Sequence, residues 1–383
     1  MARADFVFVG DRLRQARLAA NLTATELADR VEVSRQMISA AEKGKSLGAD
    51  RLDQVAIALG VPVDYFFQPF PEGVGVALSA VNYRSLKKTP EFQKDRANSS
   101  LEWAHEVVVR FRELLQMPEV NLPSLSDKDP ELLSWDDIEN AARELRRHFN
   151  LGHGPIDKLI LLLENHGVIV GTVALSDDMD GVSAWYEDGP VVLVKHGSPA
   201  VRTRFDVAHE LGHLVLHRHL TSEDVDDKHR HDLMELQAHY FAGAFLLPEE
   251  GFVPEAVRVD LDYLVTLKRR WKVSLQAMVM RLEKLGVLSK DQIGRFYQNM
   301  SRRNWRRKEP LDEELLRERP VLLERAAQFL AEERIVPFQE AFTRTRLPRE
   351  FLETFAGLEP GALSAPISAS DNVLEFRRKG PSQ

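Results

Sequence analysis

Residues 202–220 read RTRFDVAHELGHLVLHRHL, and the run His209-Glu210-Leu211-Gly212-His213 within them decides most of the reading. Two histidines at i and i+4 lie one turn apart on one face of a helix. Both imidazoles can therefore reach a single zinc ion, each at about 2.0–2.1 Å. Glu210 is rotated roughly 100° around that helix from His209. From there its carboxylate can reach a water activated by the metal without becoming a ligand. That is how a general base for peptide-bond hydrolysis is placed. The run VAHELGHLVLH is apolar on one face, as expected of a buried active-site helix.

A catalytic zinc takes three protein ligands and keeps a fourth position open. The chain has no cysteine, so His, Asp and Glu must supply the ligands. The same lack excludes disulfides and a cysteine nucleophile. Glu235 is the best third ligand, 22 residues after His213 on the next amphipathic stretch, HDLMELQAHYFAGAFLLP (231–248). His217 continues the i+4 series, but one straight helix cannot easily wrap three successive turns around one ion. His219 has the spacing of the third ligand in the longer metzincin pattern. That pattern needs a helix-breaking glycine three residues earlier, where Leu216 stands. Both histidines are expected at a solvated helix end beside Arg218. A donor for the developing oxyanion is also needed, and His229, His231, Tyr240 and Tyr186 are the candidates.

The two helices together resemble the ImmA/IrrE metallopeptidase family, over about residues 130–300. The family's second helix follows Glu-x-Glu-Ala-Asn/Asp-x-Phe-Ala and closes on leucines and a proline. Here Glu235, Ala238, Phe241, Ala242, Leu246, Leu247 and Pro248 match. The resemblance implies a zincin-like domain of the gluzincin type, a bound Zn2+, and Glu235 as third ligand. Two positions depart from the pattern, Gln237 for the second glutamate and His239 for Asn or Asp. The resemblance gives the residue at 239 a supporting hydrogen bond to a zinc-bound histidine.

Around this core the chain changes character. IDKLILLLENHG (156–167) reads as a helix ended by Gly167, VIVGTVAL (168–175) as a strand, and GVSAWYEDGPVVLVK (181–195) as two strands about a turn. These strands offer an edge along which an extended substrate could lie. Met117–Pro130 holds three prolines and reads as a linker, preceded by a helix around Ser99–Leu115. Residues 251–300 and much of 310–356 read as helices, followed by a flexible tail. The basic run SRRNWRRK (301–308) reads as a solvated helix end.

Residues 10–67, GDRLRQARLAANLTATELADRVEVSRQMISAAEKGKSLGADRLDQVAIALGVPVDYFF, read as five short helices. Thr23 with Glu26 forms a capping-box signature, Ser34 can cap the next helix, and Gly44 and Gly60 can end helices. Leu27, Ala28, Val33, Ile38, Leu52 and Leu59 are spaced to share a small core. This stretch resembles the XRE-type helix-turn-helix family. The resemblance makes Ser34–Ala41 the recognition helix. Arg35, Gln36 and Ser39 then face base edges, with Lys43 and Lys45 on phosphates and Ser34 counted with the DNA-binding residues at the helix start. Lys plus Arg equals Asp plus Glu over residues 1–67, nine of each. A homodimer on a two-fold DNA operator is therefore expected.

At 383 residues with 44% hydrophobic content, the chain is expected to hold several domains. The division read from the sequence is helix-turn-helix at 1–70, a helical linker at 71–130, a metallopeptidase domain at 131–300 and a helical extension at 301–383. The fold class is α+β and mainly α. No apolar run reaches the roughly 18 residues a membrane span needs, and the N-terminus lacks the apolar core of a secretory signal. A cytoplasmic location follows as the expectation. The functional expectation is a transcriptional regulator whose zinc endopeptidase cleaves a repressor or toxin-like partner protein. The alternative is a non-catalytic DNA-binding antitoxin or repressor that uses the peptidase fold as a sensor.

Overall fold

The computed structural model describes residues 7–71, 73–74, 82–85, 91–221, 224 and 227–364. The start of the expected linker at 71–130 and the predicted flexible tail lie in part outside them.

The N-terminal unit forms α1 (Gly10–Ala19), α2 (Ala24–Arg30), α3 (Arg35–Glu42), α4 (Ala49–Leu59) and a 3-10 turn (Val63–Phe67). Its fifth helical element is thus the 3-10 turn. The local signals act as read. Thr23 and Glu26 close a capping box, Ser34 Oγ accepts from Met37 N–H, and Gly60 ends α4 at φ 67°. Leu27, Ala28, Ile38, Leu52 and Leu59 are buried, and Val33 packs against them.

Next come β1 (Asn82–Ser85), α5 (Glu91–Arg112), a 3-10 turn (Pro130–Leu132), α6 (Trp135–His148), α7 (Leu159–Asn165), β2 (Ile169–Val173), β3 (Met179–Tyr186), β4 (Gly189–Lys195) and α8 (Ala200–Leu216). The chain continues through α9 (Lys228–Leu246), α10 (Glu249–Glu255), α11 (Leu261–Trp271), α12 (Leu275–Lys284), α13 (Lys290–Arg302), α14 (Leu322–Glu332), α15 (Phe338–Thr343) and α16 (Arg349–Phe355). The fold is mainly helical, with a sheet in the order β1-β3-β4-β2. β2 runs parallel to β4; β3 is antiparallel to both β4 and β1.

The sheet is covered on both faces and divides two hydrophobic cores. Ile169, Val173, Val182, Ala184, Val191 and Leu193 join one core, with the helix-turn-helix unit, α5 and α14–α16. Val170, Trp185, Val192 and Val194 join the other, with α6–α13. The alternation along β3 and β4 follows from the two-residue period of a strand. Residues 181, 183 and 185 therefore face α8.

The helix-turn-helix unit is fastened down rather than tethered. Arg12, fully buried, pairs with Glu106 of α5 at 2.5 Å and also donates to the Gln68 and Pro69 carbonyls. Tyr65 donates to Gln15 and accepts from Trp103 Nε1. Helix α5 begins eight residues before the expected helix around Ser99 and packs on α1 and on the sheet. The C-terminal helices return to the same core. Phe342 meets Phe111 and Phe351 meets Trp103, with ring centroids 5.1 and 4.9 Å apart. Residues 117–129 form no helix or strand, yet they are not loose. Leu125 N–H donates to Val215 O, Asn121 N–H to His166 O, and Met117 and Leu122 are buried.

Candidate metal centre and recognition helix

Helix α8 is buried at every residue from Thr203 to Leu216, all but its first three positions. Its close fit against α9 has a simple cause: any side chain at Gly212 would come within 3.2 Å of the Ala238 backbone. The fit brings Glu235 of α9 to the two α8 histidines. His213 Nε2 lies 3.1 Å from His209 Nε2 and 3.0 Å from Glu235 Oε1. His209 Nε2 lies 3.4 Å from Glu235 Oε2. Bonds of 2.0–2.1 Å at tetrahedral angles separate ligand atoms by about 3.3 Å. The three side chains thus fit one zinc-sized ion, and they form a metal-capable group among the described residues. Burial pushes the Glu235 carboxyl up, but the two imidazoles outweigh it and hold the pKa well below the usual carboxylate range.

Glu210 points the other way around α8, toward β3. Ser183 Oγ donates to Glu210 Oε2 at 2.6 Å. This explains a fully buried serine in β3. A Cβ at Gly181 would sit 2.6 Å from Glu210 Oε1, so the glycine makes room for the carboxylate. A cleft of about 460 Å³ is lined by Asp180, Arg202, Asp206, His239, Arg306 and Arg307; neither Glu210 nor the three converging side chains line it. Two arginines of the run read as a solvated helix end therefore stand at the cleft wall.

The expected substrate edge is already taken. β1 pairs with β3 in the register Asn82↔Ser183, Tyr83↔Val182 and Arg84↔Gly181, beside Glu210. An extended peptide would have to displace β1 or pair with its outer edge.

His217 corrects the sequence reading. It was expected in solvent and is 1% exposed, whereas His219 and Arg218 are exposed as expected. His217 Nδ1 lies 3.0 Å from His213 Nδ1, and its Nε2 lies 3.0 Å from Gln237 Oε1. Burial drives its pKa well below the ordinary histidine value. No local signal distinguished it, because its partner Gln237 is 20 residues away. His239 packs its ring on Phe205, with centroids 4.9 Å apart.

The four oxyanion candidates separate. Tyr186 is stacked on His105, Tyr240 lies against Trp135, and the His229 side chain is 82% exposed beside Glu131. His231, one turn before Glu235, is close enough for Glu235 and His213 to act on its pKa, which burial lowers.

On α3, Arg35 and Gln36 are exposed at the start of the helix, and Ser39 is half-buried. Ile38 and Ala41 anchor the opposite face. Lys43 and Lys45 are exposed just past the helix end. Ser34 is exposed, and its hydroxyl is engaged as the N-cap.

Comparison with known proteins meets this geometry at both ends. Residues 13–66 match the family model described as helix-turn-helix, and residues 164–283 match the IrrE N-terminal-like domain. The chain joins a helix-turn-helix domain to an IrrE N-terminal-like domain. All of His209, Glu210, His213 and Glu235 fall within the IrrE N-terminal-like match, as do β2–β4. A curated relative from Rhodospirillum rubrum, an uncharacterized transcriptional regulator in the ATPase CF(0) region, is 46% identical over 66 residues, 17% of this chain and 61% of its own. An HTH-type transcriptional regulator from Sinorhizobium fredii is 38% identical over 72 residues, 18% of this chain and 50% of its own. The chain thus spans 61% and 50% of the lengths of these two relatives. A solved Mycobacterium tuberculosis transcriptional regulator is 28% identical, covering 38% of this chain and 46% of that one, with a TM-score of 0.29. Among the described residues no helix is long and apolar enough to cross a membrane.

Proposed function

We propose that the protein is a DNA-binding transcriptional regulator whose IrrE N-terminal-like domain is a zinc-dependent endopeptidase acting on a repressor or other partner protein. The observation that carries the reading is the 3.0–3.4 Å convergence of His209, His213 and Glu235, with Glu210 next to His209 on the same helix. His209, His213 and Glu235 would hold the ion. When bound, zinc would supply Lewis-acid activation of water and of the scissile carbonyl. Glu210 takes the proton from the attacking water and returns it to the leaving amine. Ser183 orients the carboxylate by donating to Glu210 Oε2. His231 is the donor best placed to steady the oxyanion, and His239 supports the site from one turn beyond Glu235. Arg35, Gln36 and Ser39 read bases, Ser34, Lys43 and Lys45 meet phosphates, and a homodimer would match a two-fold operator. The domain limits are those read from the sequence, with 71–130 serving as a packed connector.

A second reading has its own observation. Glu210 is fully buried and β1 occupies the β3 edge, as suits a peptidase fold kept as a sensor or interaction module.

Sequencing of newly formed protein N-termini, in cells expressing the native chain or Glu210→Gln, separates the two. Peptidase action gives new termini that need Glu210. Identical terminus profiles from zinc-loaded native and variant proteins would favour the sensor.

A further inference from the structure

We infer that β1 is an exchangeable occupant of the β3 edge, which keeps the candidate peptidase closed until an extended segment of a partner protein takes its place. The inference rests on the peptidase reading and concerns the regulation of that same site.

The edge belongs to the IrrE N-terminal-like domain, but it is filled from outside that domain. The match over residues 164–283 contains β2, β3 and β4, whereas β1 lies at 82–85, outside both matched regions. Without β1, the sheet order leaves β3 as an outermost strand. An outermost strand presents a row of unpaired N–H and C=O groups, a template for another extended chain.

The filled stretch is the one next to Glu210. β1 runs antiparallel to β3 in the register Asn82↔Ser183, Tyr83↔Val182 and Arg84↔Gly181. Ser183 donates to Glu210, and Gly181 makes room for its carboxylate. β1 thus lies along the two β3 residues that shape the surroundings of the proposed general base. It does so in the arrangement by which a bound peptide adds a strand to a sheet.

The pairing of β1 is short, and attachment holds it. The strand has four residues, and its register shifts between Arg84 and Ser85, passing over Asp180. Such a shift interrupts the ladder. Short, interrupted pairing is marginal without other support. Before β1, the Gln68 and Pro69 carbonyls accept from the buried Arg12. After it, α5 pairs its Glu106 with the same arginine. Attachment on both sides raises the effective concentration of β1 at the edge. A separate chain that pairs more strongly can still replace it, because its affinity is reduced only by the fraction of time the edge is open.

Opened and locked forms of the full chain test the exchange. Tyr83→Pro/Arg84→Pro opens the edge: of two successive residues in an outer strand, one turns its N–H to the neighbour, and proline removes it. Tyr83→Cys/Val182→Cys locks it. These residues are opposite each other in the register, Val182 belongs to the core away from α8, and the chain has no cysteine of its own. Oxidation can therefore form only that bridge within the chain. The probe is a fluorescent synthetic peptide with the sequence of residues 79–88, read by anisotropy with metal-free protein. If β1 is out for about 0.1–10% of the time, the opened form should bind the peptide about 10–1000-fold more tightly than the native chain. The locked form should bind none and regain binding on reduction. Equal affinity in native, opened and locked proteins would put the peptide on the outer edge of β1 and overturn the inference, as would no binding to any of them. If the opened form does not fold, the oxidised and reduced states of the locked form still decide.

New protein N-termini in cells separate this inference from the reading it rests on. The opened chain should give more Glu210-dependent termini than the native chain. Peptide binding in the expected order, with no Glu210-dependent termini from any form, would sink the peptidase reading and leave the strand exchange standing.

Discussion

Arg35 and Gln36 on α3 stand in solvent, whereas every residue of α8 from Thr203 to Leu216 is buried. Both helices carry the residues proposed to act, yet they hold them by opposite means. Helix α3 is anchored by Ile38 and Ala41 and leaves its outer side chains free to meet a ligand. From Thr203 on, helix α8 has no outer side, and its polar groups meet neighbours, as Glu210 meets Ser183 and His213 meets His217. Change on α3 should therefore alter binding with little effect on folding. On α8 and its supports, function and stability should move together unless the replacement keeps shape and partners.

The largest expected effect comes from Glu210→Gln, which keeps both. Ser183 can still donate to the amide oxygen, so zinc content should stay native while partner cleavage falls about 10²–10⁴-fold. Cleavage-product formation and metal content measured on the same preparation check this, and lost metal would mean that Glu210 is a ligand.

Arg12→Met tests whether the helix-turn-helix unit is fixed to the rest. It leaves Glu106 buried and unpaired at a site where Arg12 is fully buried. Removing one partner of a buried pair costs about 3–5 kcal/mol. A urea midpoint close to native would make that junction a loose one.

Arg35→Ala should cost about 1–3 kcal/mol in DNA binding and relax preference at one base position, with folding stability changed by less than about 0.5 kcal/mol. Titration against an operator library and thermal unfolding give both numbers. Equal loss across all sequences would reassign Arg35 to a phosphate.

The smallest effect belongs to Lys43→Ala: uniform weakening, and a salt-dependence slope lower by about one. An unchanged slope would remove Lys43 from the DNA interface.

The same contrast explains what the sequence could tell. In the helix-turn-helix unit the deciding signals are local: Thr23 with Glu26, Ser34 before Met37, Gly60 after Leu59. Each acts within one turn, so spacing alone exposes it. His209, Glu210 and His213 share that advantage, and Glu235 followed from the resemblance and from the next amphipathic stretch. What stayed hidden depends on contacts between distant residues. His217 looked solvated because its last-turn position carries no mark of Gln237 across on α9. The stretch before Pro130 looked like a linker because prolines exclude regular structure without forbidding packing, and Leu125 finds its partner in Val215 of α8. The start of α5, the placement of β1 on β3 and the return of α14–α16 are likewise set by the core they complete.

Metal content by mass spectrometry, on the native chain and on His213→Ala after identical zinc supply and dialysis, tests the central claim most directly. The account predicts about one zinc per chain in the native protein and none in the variant, following the three-ligand requirement of such sites. No zinc in either protein, or equal zinc in both, would contradict it.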